Sequence, residues 1–224
     1  MKTLICLANS RKISGRCIAG IEVDSNPYKW IRPISDRDTG EISEEERRYE
    51  NGDMPQLLDV IQIPMLKAAP HSFQQENHII DDTEYWEKKG VIDFKELAKY
   101  VETKQDELWM DGNSSYNGLN DRVSTKLADS FKHSLYLIKP ENLKIVVSVE
   151  GAEFNNAKRK VRALFSLGRT SYKLGVTDPR IEKKYLSSSD GEYDLSKKVA
   201  YICVSLAEEY AGNCYKLVAS IITK

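Results

Sequence analysis

The chain has 224 residues, 33 basic and 34 acidic, with 41% hydrophobic content. That length accommodates one large or two small domains, with enough apolar material for real cores. No apolar run approaches the roughly 18–20 residues of a membrane span, and MKTLICLANSRK at the start has no long apolar stretch with a small-residue cleavage site.

The expected elements begin as strands. KTLICLA and RCIAGIEV are short runs rich in branched residues, joined by the polar NSRKISG. YKWIRPI follows the turn signal Ser25-Asn26-Pro27. GEISEEERRYENGDM reads as an acidic loop with one helical turn. LLDVIQIPML reads as a strand that Pro64 disrupts, because proline donates no ladder hydrogen bond. Residues 81–110 then take helical spacing, with Phe94, Leu97, Ala98 and Val101 on one face. Asp93 followed by Glu96 is a capping-box pattern, and a second short helix is expected over 120–131. Strands return in SLYLI, LKIVVSVE, KVRALFSL, YKLGVTD, AYICVSL and CYKLVASII. Between the fourth and fifth of these lies DPRIEKKYL, a helix with Asp178 as cap and Pro179 in the first position.

The order predicts a mainly β chain: a β unit over 1–80, a helical insertion over 81–133, and a second β unit over 134–224. The two ends echo each other. Cys6 and Cys17 have the same separation as Cys203 and Cys214, which places each pair across a hairpin. None of the four forms a CxxC, so a reducing cytoplasm is expected, with the thiols as buried small residues. Neither a metal site nor a cofactor is expected.

From Phe154 to Thr177 there is no acidic residue. Strand alternation puts Lys158, Lys160, Arg162 and Ser166 on one face and Val161, Ala163, Phe165 and Leu167 on the other. A four-residue turn at 168–171 sets Leu167 opposite Tyr172 and Phe165 opposite Leu174. Lys173 then joins the cationic face, with Arg169 at the tip. A slip of one residue would mix the faces.

ICLANSRKISGRCIAG, WIRPIS, LLDVIQIP, QQENHII, YKLGVTDP and YKLVASII together resemble the dual OB-fold domain family of bacteria. The resemblance implies two small OB-type barrels, a nucleic-acid-binding role, and a setting in genome-defence neighbourhoods. It brings no catalytic residue. OB barrels bind oligonucleotides over the outward face of their middle strands and nearby loops, and such a track requires long cationic side chains. The candidate contacts in the second barrel are Lys158, Lys160, Arg162, Arg169 and Lys173. In the first they are Arg11, Lys12 and Arg16 around one loop, with Trp30 beside Arg32 as an aromatic for base stacking.

Two other constellations suggest other functions. Gln75, Glu76, Asn77, Asn120, Asp121 and Arg122 can line a pocket between the barrels for a nucleotide, or fix the insertion by hydrogen bonds. SEEERR, or Glu150 and Glu153 ahead of Lys158 and Lys160, is the nearest approach to a metal-dependent nuclease. The expectation is a cytoplasmic, non-catalytic module for single-stranded or structured nucleic acid. The alternatives are an accessory module for a nucleotide or a protein partner of the same defence system, then a nuclease.

Overall fold

The first strand, β1 (Lys2–Lys12), folds back through Ile13 and Ser14 onto β2 (Gly15–Glu22), and β2 pairs antiparallel with β3 (Trp30–Ile34). The computed structural model describes residues 1–103 and 106–224. It divides into two units, Met1–Tyr100 with Lys132–Leu135, and Val101–Phe131 with Tyr136–Lys224.

In the first unit a single helical turn, α1 (Glu44–Arg47), follows β3. It starts where the sequence supplies a capping box: the Ser43 hydroxyl accepts from the Glu46 N–H, and the Glu46 carboxylate accepts from the Ser43 N–H. Next come β4 (Asp59–Ile63), β5 (Met65–Ala68) and β6 (Asn77–Ile80). β4 pairs with β1, β5 with β6, and β6 lies parallel to β3. Only Pro64 separates β4 from β5. The two are therefore one strand turned at a proline, and that corner closes the order β1-β2-β3-β6-β5/β4 back onto β1. Leu4, Cys6, Ile18, Ile31, Ile61, Ile63 and Trp86 fill the interior.

The second unit repeats this plan. β9 (Leu135–Ile138) and β10 (Glu141–Glu150) precede β11 (Lys158–Leu167) and β12 (Thr170–Val176). Then follow α3 (Pro179–Leu186), β13 (Gly191–Asp194), β14 (Ala200–Tyr210) and β15 (Asn213–Thr223). β15 lies parallel to β12, as β6 does to β3. Here the closing corner falls in the first strand, because β9 neighbours β14, β10 pairs with β11, and only Lys139 and Pro140 lie between β9 and β10. α3 begins as expected: the Asp178 carboxylate accepts from the Arg180 N–H at 3.0 Å, with Pro179 in the first turn. Two barrels, each with three antiparallel strands, a helix, and a final strand that lies parallel to the third and antiparallel to the strand before it, form the OB arrangement that the family resemblance implied.

Three local expectations are corrected. Residues 81–103 and 106–110 do not form the expected long helix, and residues 104 and 105 lie outside the described residues. Glu87–Val91 is instead a strand, β7, on the free edge of β4, and Phe94–Tyr100 is a 3-10 helix. The eight residues of helical period from Phe94 to Val101 are too few to sustain an α-helix alone, and the unpaired edge of β4 offers the backbone partners. Over 120–131 the helix shrinks to α2 (Thr125–Ala128), preceded by β8 (Arg122–Ser124), which pairs with β15. The β11–β12 register is also two residues tighter than expected. Phe165 faces Tyr172 and Leu167 faces Thr170 across a two-residue turn, with Gly168 at φ 57. A shift of two preserves the faces, so Phe165 and Leu174 are buried as expected.

The cysteines are free thiols and do not face each other. Cys6 faces Gly20 and Cys17 faces Ser10, while Cys203 faces Ser220 and Cys214 faces Glu209. Both hairpins do shift register beside their first cysteine.

Candidate nucleic-acid interface

On the outward face of the second barrel, Lys158 and Lys160 are exposed and Lys173 is half-buried. Arg169 is exposed in the tight turn. Among the described residues none of these four forms an ion pair. Their neighbours differ. Arg159, on the opposite face, bonds Asp190 at 2.9 Å and donates to the Leu186 and Ser188 carbonyls.

Arg162 departs from the expected exposed phosphate contact. Its guanidinium grips Glu150 in a two-pronged bond of 2.7 and 2.9 Å and reaches Asp121 at 3.4 Å. Burial alone would lower its pKa, but Glu150 and then Asp121 outweigh that and hold it above its ordinary value. The stretch is free of acids in sequence but not in space. Glu150 ends the adjacent strand, and Asp121 comes from a loop forty-one residues upstream.

That loop, 113–121, is wound around Asp121. The carboxylate accepts from the Ser115 N–H at 2.7 Å and the Ser115 hydroxyl at 2.5 Å. Gly118 packs so closely that a Cβ there would lie 1.9 Å from Asp121 Oδ2. The Leu119 backbone pairs with Lys173, and Asn120 donates to the Ser171 carbonyl. Arg122 donates to Asn113 Oδ1 at 3.0 Å. Inside the barrel, Lys216 is 1% exposed and donates to the Asn120 carbonyl at 2.8 Å. Burial brings its pKa down to about 8, with Asp121, Asp111 and Glu107 offsetting part of that fall. Asn120, Asp121 and Arg122 thus serve the second unit itself.

In the first barrel Arg32 is also corrected. It is 3% exposed, 3.1 Å from Glu76 Oε1, 2.7 Å from Ser134 Oγ and 3.3 Å from Asn77 Oδ1. β3 sits between β2 and β6, so its neighbours enclose this side chain. Asn77 is buried and also donates to Gln74, while Gln75 is exposed and donates to the Ser72 carbonyl. Trp30 is half-buried, with its indole N–H enclosed and unpartnered among the described residues. Arg11 is exposed, Lys12 is half-buried, and both have partners within the fold. Arg16 is half-buried and donates to the Gly15 carbonyl at 3.3 Å. Arg47, which the sequence did not single out, is buried beside it; burial first, then the charge of Arg16, lowers its pKa.

Sequence reasoning also missed two exposed aromatics in the second unit. Tyr116 is 76% exposed and Phe154 68%, and their rings meet edge-on with centroids 5.9 Å apart. The acid-free run that begins at Phe154 was the available signal, but nothing placed Tyr116 next to it.

Glu150 is held by Arg162, and Glu153 is exposed in a 3-10 turn. Among the described residues no three His, Cys, Asp or Glu side chains cluster closely enough to hold a metal ion, and no helix is long and apolar enough to cross a membrane.

No curated protein and no solved structure matches the chain significantly. The dual OB-containing domain model matches residues 2–221, nearly the whole length, in agreement with the two barrels. The chain belongs to the dual OB-containing domain family.

Proposed function

We propose that the chain is a non-catalytic module that binds single-stranded or structured DNA or RNA along the outward face of β11 and β12, within a bacterial defence-type system. One observation supports this most. The cations needed by the fold, Arg159 and Arg162, are paired with its own carboxylates, whereas Lys158, Lys160, Lys173 and Arg169 form no ion pair among the described residues. Lys158 and Lys160 are roughly 7 Å apart along one strand, with Lys173 on the adjacent strand. Unpaired cations along a track suit a phosphate backbone, which is bound with release of counterions.

Titrating a labelled oligonucleotide at several salt concentrations tests the reading. Each of Lys160→Ala and Lys173→Ala should weaken binding across sequences alike. Each should also flatten the slope of log K against log salt by about 0.7 for a single strand or about 0.9 for duplex. Wild-type protein with no salt-dependent binding at low salt would end the reading. The defence setting comes from the family resemblance alone, and effector genes beside this one would bear it out.

A further inference from the structure

We propose that Tyr116 and Phe154 form a stacking platform for an unpaired nucleobase beside the lysine track, and that Arg162 positions this platform. The inference rests on the nucleic-acid reading and adds how the ligand is held apart from its phosphates.

The two rings belong to loops far apart in sequence and are among the most exposed large apolar side chains of the chain. They touch each other edge-on, and at 76% and 68% exposure most of their ring surface stays open. Burial can therefore account for little of their presence. Both loops are nonetheless tightly specified. Phe154 ends a 3-10 turn between Gly151 at φ 80 and Asn155 at φ 55, and a Cβ on Gly151 would lie 2.6 Å from the Asn156 carbonyl oxygen. Tyr116 rides on the loop wound around Asp121.

Arg162 fastens the bases of both loops. Glu150 is the last residue of β10, immediately before the Phe154 turn, and Asp121 closes the Tyr116 loop. The three side chains are 15%, 9% and 3% exposed, so water screens this bridge far less than it would a surface pair. The arginine that the sequence assigned to phosphate holds two aromatic loops in register instead.

Lys158 follows the Phe154 loop directly, and Lys160 lies on the same outward face as Arg162. Two open aromatic rings set edge to face at 77°, each with a free face and flanked by spare cations, match a ligand with a flat base on an anionic backbone. Single strands present such bases, and stacking on aromatics tolerates any base. A duplex keeps its bases stacked inside.

The test compares a labelled oligothymidylate of about twenty nucleotides with an abasic oligomer of the same length. Wild-type protein should prefer the first by roughly 5- to 100-fold, the range of one stacked base. Tyr116→Ala and Phe154→Ala should remove most of that preference and leave the salt slope unchanged. Glu150→Gln and Arg162→Ala should also lower the preference without the slope decrease of about 0.7 that a lost phosphate contact gives. Arg162→Lys should not restore it, because an ammonium cannot make the two-pronged bond. Three results would overturn the platform while leaving the lysine track standing: equal wild-type affinity for both oligomers, aromatic variants that keep the preference, or tighter binding to duplex than to single strand. Absence of any salt-dependent binding by wild-type protein would remove both.

Discussion

Each barrel encloses an arginine of its sheet against buried carboxylates, Arg32 in the first and Arg162 in the second, and the two arrangements leave different residues free. In the first barrel Arg32 is nearly sealed between Glu76, Asn77 and Ser134, while Arg11 and Lys12 have partners in the fold. Glu41, 8% exposed, has its pKa lowered by the Thr39 hydroxyl first and also by Arg37 and Lys12, so Lys12 sits in a carboxylate's field. In the second barrel Glu150 and Asp121 are both committed to Arg162, and the lysines beside it keep no carboxylate. One topology thus supports a face whose cations are used internally and a face whose cations are spare. What separates the two is where carboxylates arrive from other strands and loops, since the local density of basic residues is high in both.

The sharpest way to break this comparison is to remove the sealed arginine. Arg32→Ala would leave the Glu76 carboxylate buried and unpaired, at an expected cost of about 3–5 kcal/mol, read from the shift in denaturant midpoint. A loss under about 1 kcal/mol would mean that Arg32 is no more committed than a surface residue. Phe165→Ala in the other barrel should cost about the same, 3–5 kcal/mol by cavity formation, because Phe165 is 1% exposed and stacked on Tyr172. A near-neutral result there would contradict the burial of Phe165 in the barrel core.

An intermediate effect concerns Lys216. Its folded pKa, about 8, lies below its ordinary value of 10.5. Between those two pH values the unfolded chain binds more protons, so this residue makes stability rise with pH. Buried Cys214 acts oppositely. Burial raises its pKa from 9.0 to about 11, so the folded state retains a proton that the unfolded thiol loses, and stability falls across that range. The contributions separate by difference: wild type should gain on Lys216→Met as pH rises from about 8 toward 10.5. Parallel pH profiles would show that Lys216 does not titrate inside the barrel.

The smallest effect sharpens the comparison from the other side. Lys158→Ala and Lys160→Ala should each change stability by less than about 0.5 kcal/mol, because exposed unpaired cations contribute little to folding. Thermal melts run beside the binding titrations would check this. A loss above about 1 kcal/mol would place those lysines with Arg162 among the residues the fold needs.

Local sequence was sufficient for most elements. Strand alternation in β11 and β12 depends on neighbours two residues apart, and a register error of two residues left every side chain on its expected face. Asp178 with Pro179, and the acidic turn now seen as α1, are likewise short-range signals. The helical period near Phe94 was a local signal that tertiary pairing reduced to a 3-10 helix, with the open edge of β4 drawing Glu87–Val91 into the sheet. Pro64 was recognised as a strand breaker; its role as the corner that closes a barrel depends on β4 and β5 pairing with different partners. Lys139 and Pro140, which local sequence did not single out, occupy the matching corner between β9 and β10.

What the sequence determined by itself is the face each side chain occupies, since alternation is fixed by the covalent geometry of a strand. What only the tertiary structure decided is which charges are spent. Lys160 and Arg162 are equivalent in sequence, two residues apart on one face. They differ because Glu150 and Asp121 converge on Arg162 alone. Ion pairing falls off steeply with distance and is enhanced by burial. A residue's availability therefore depends on carboxylates that the fold delivers from elsewhere, and strand alternation carries no information about them.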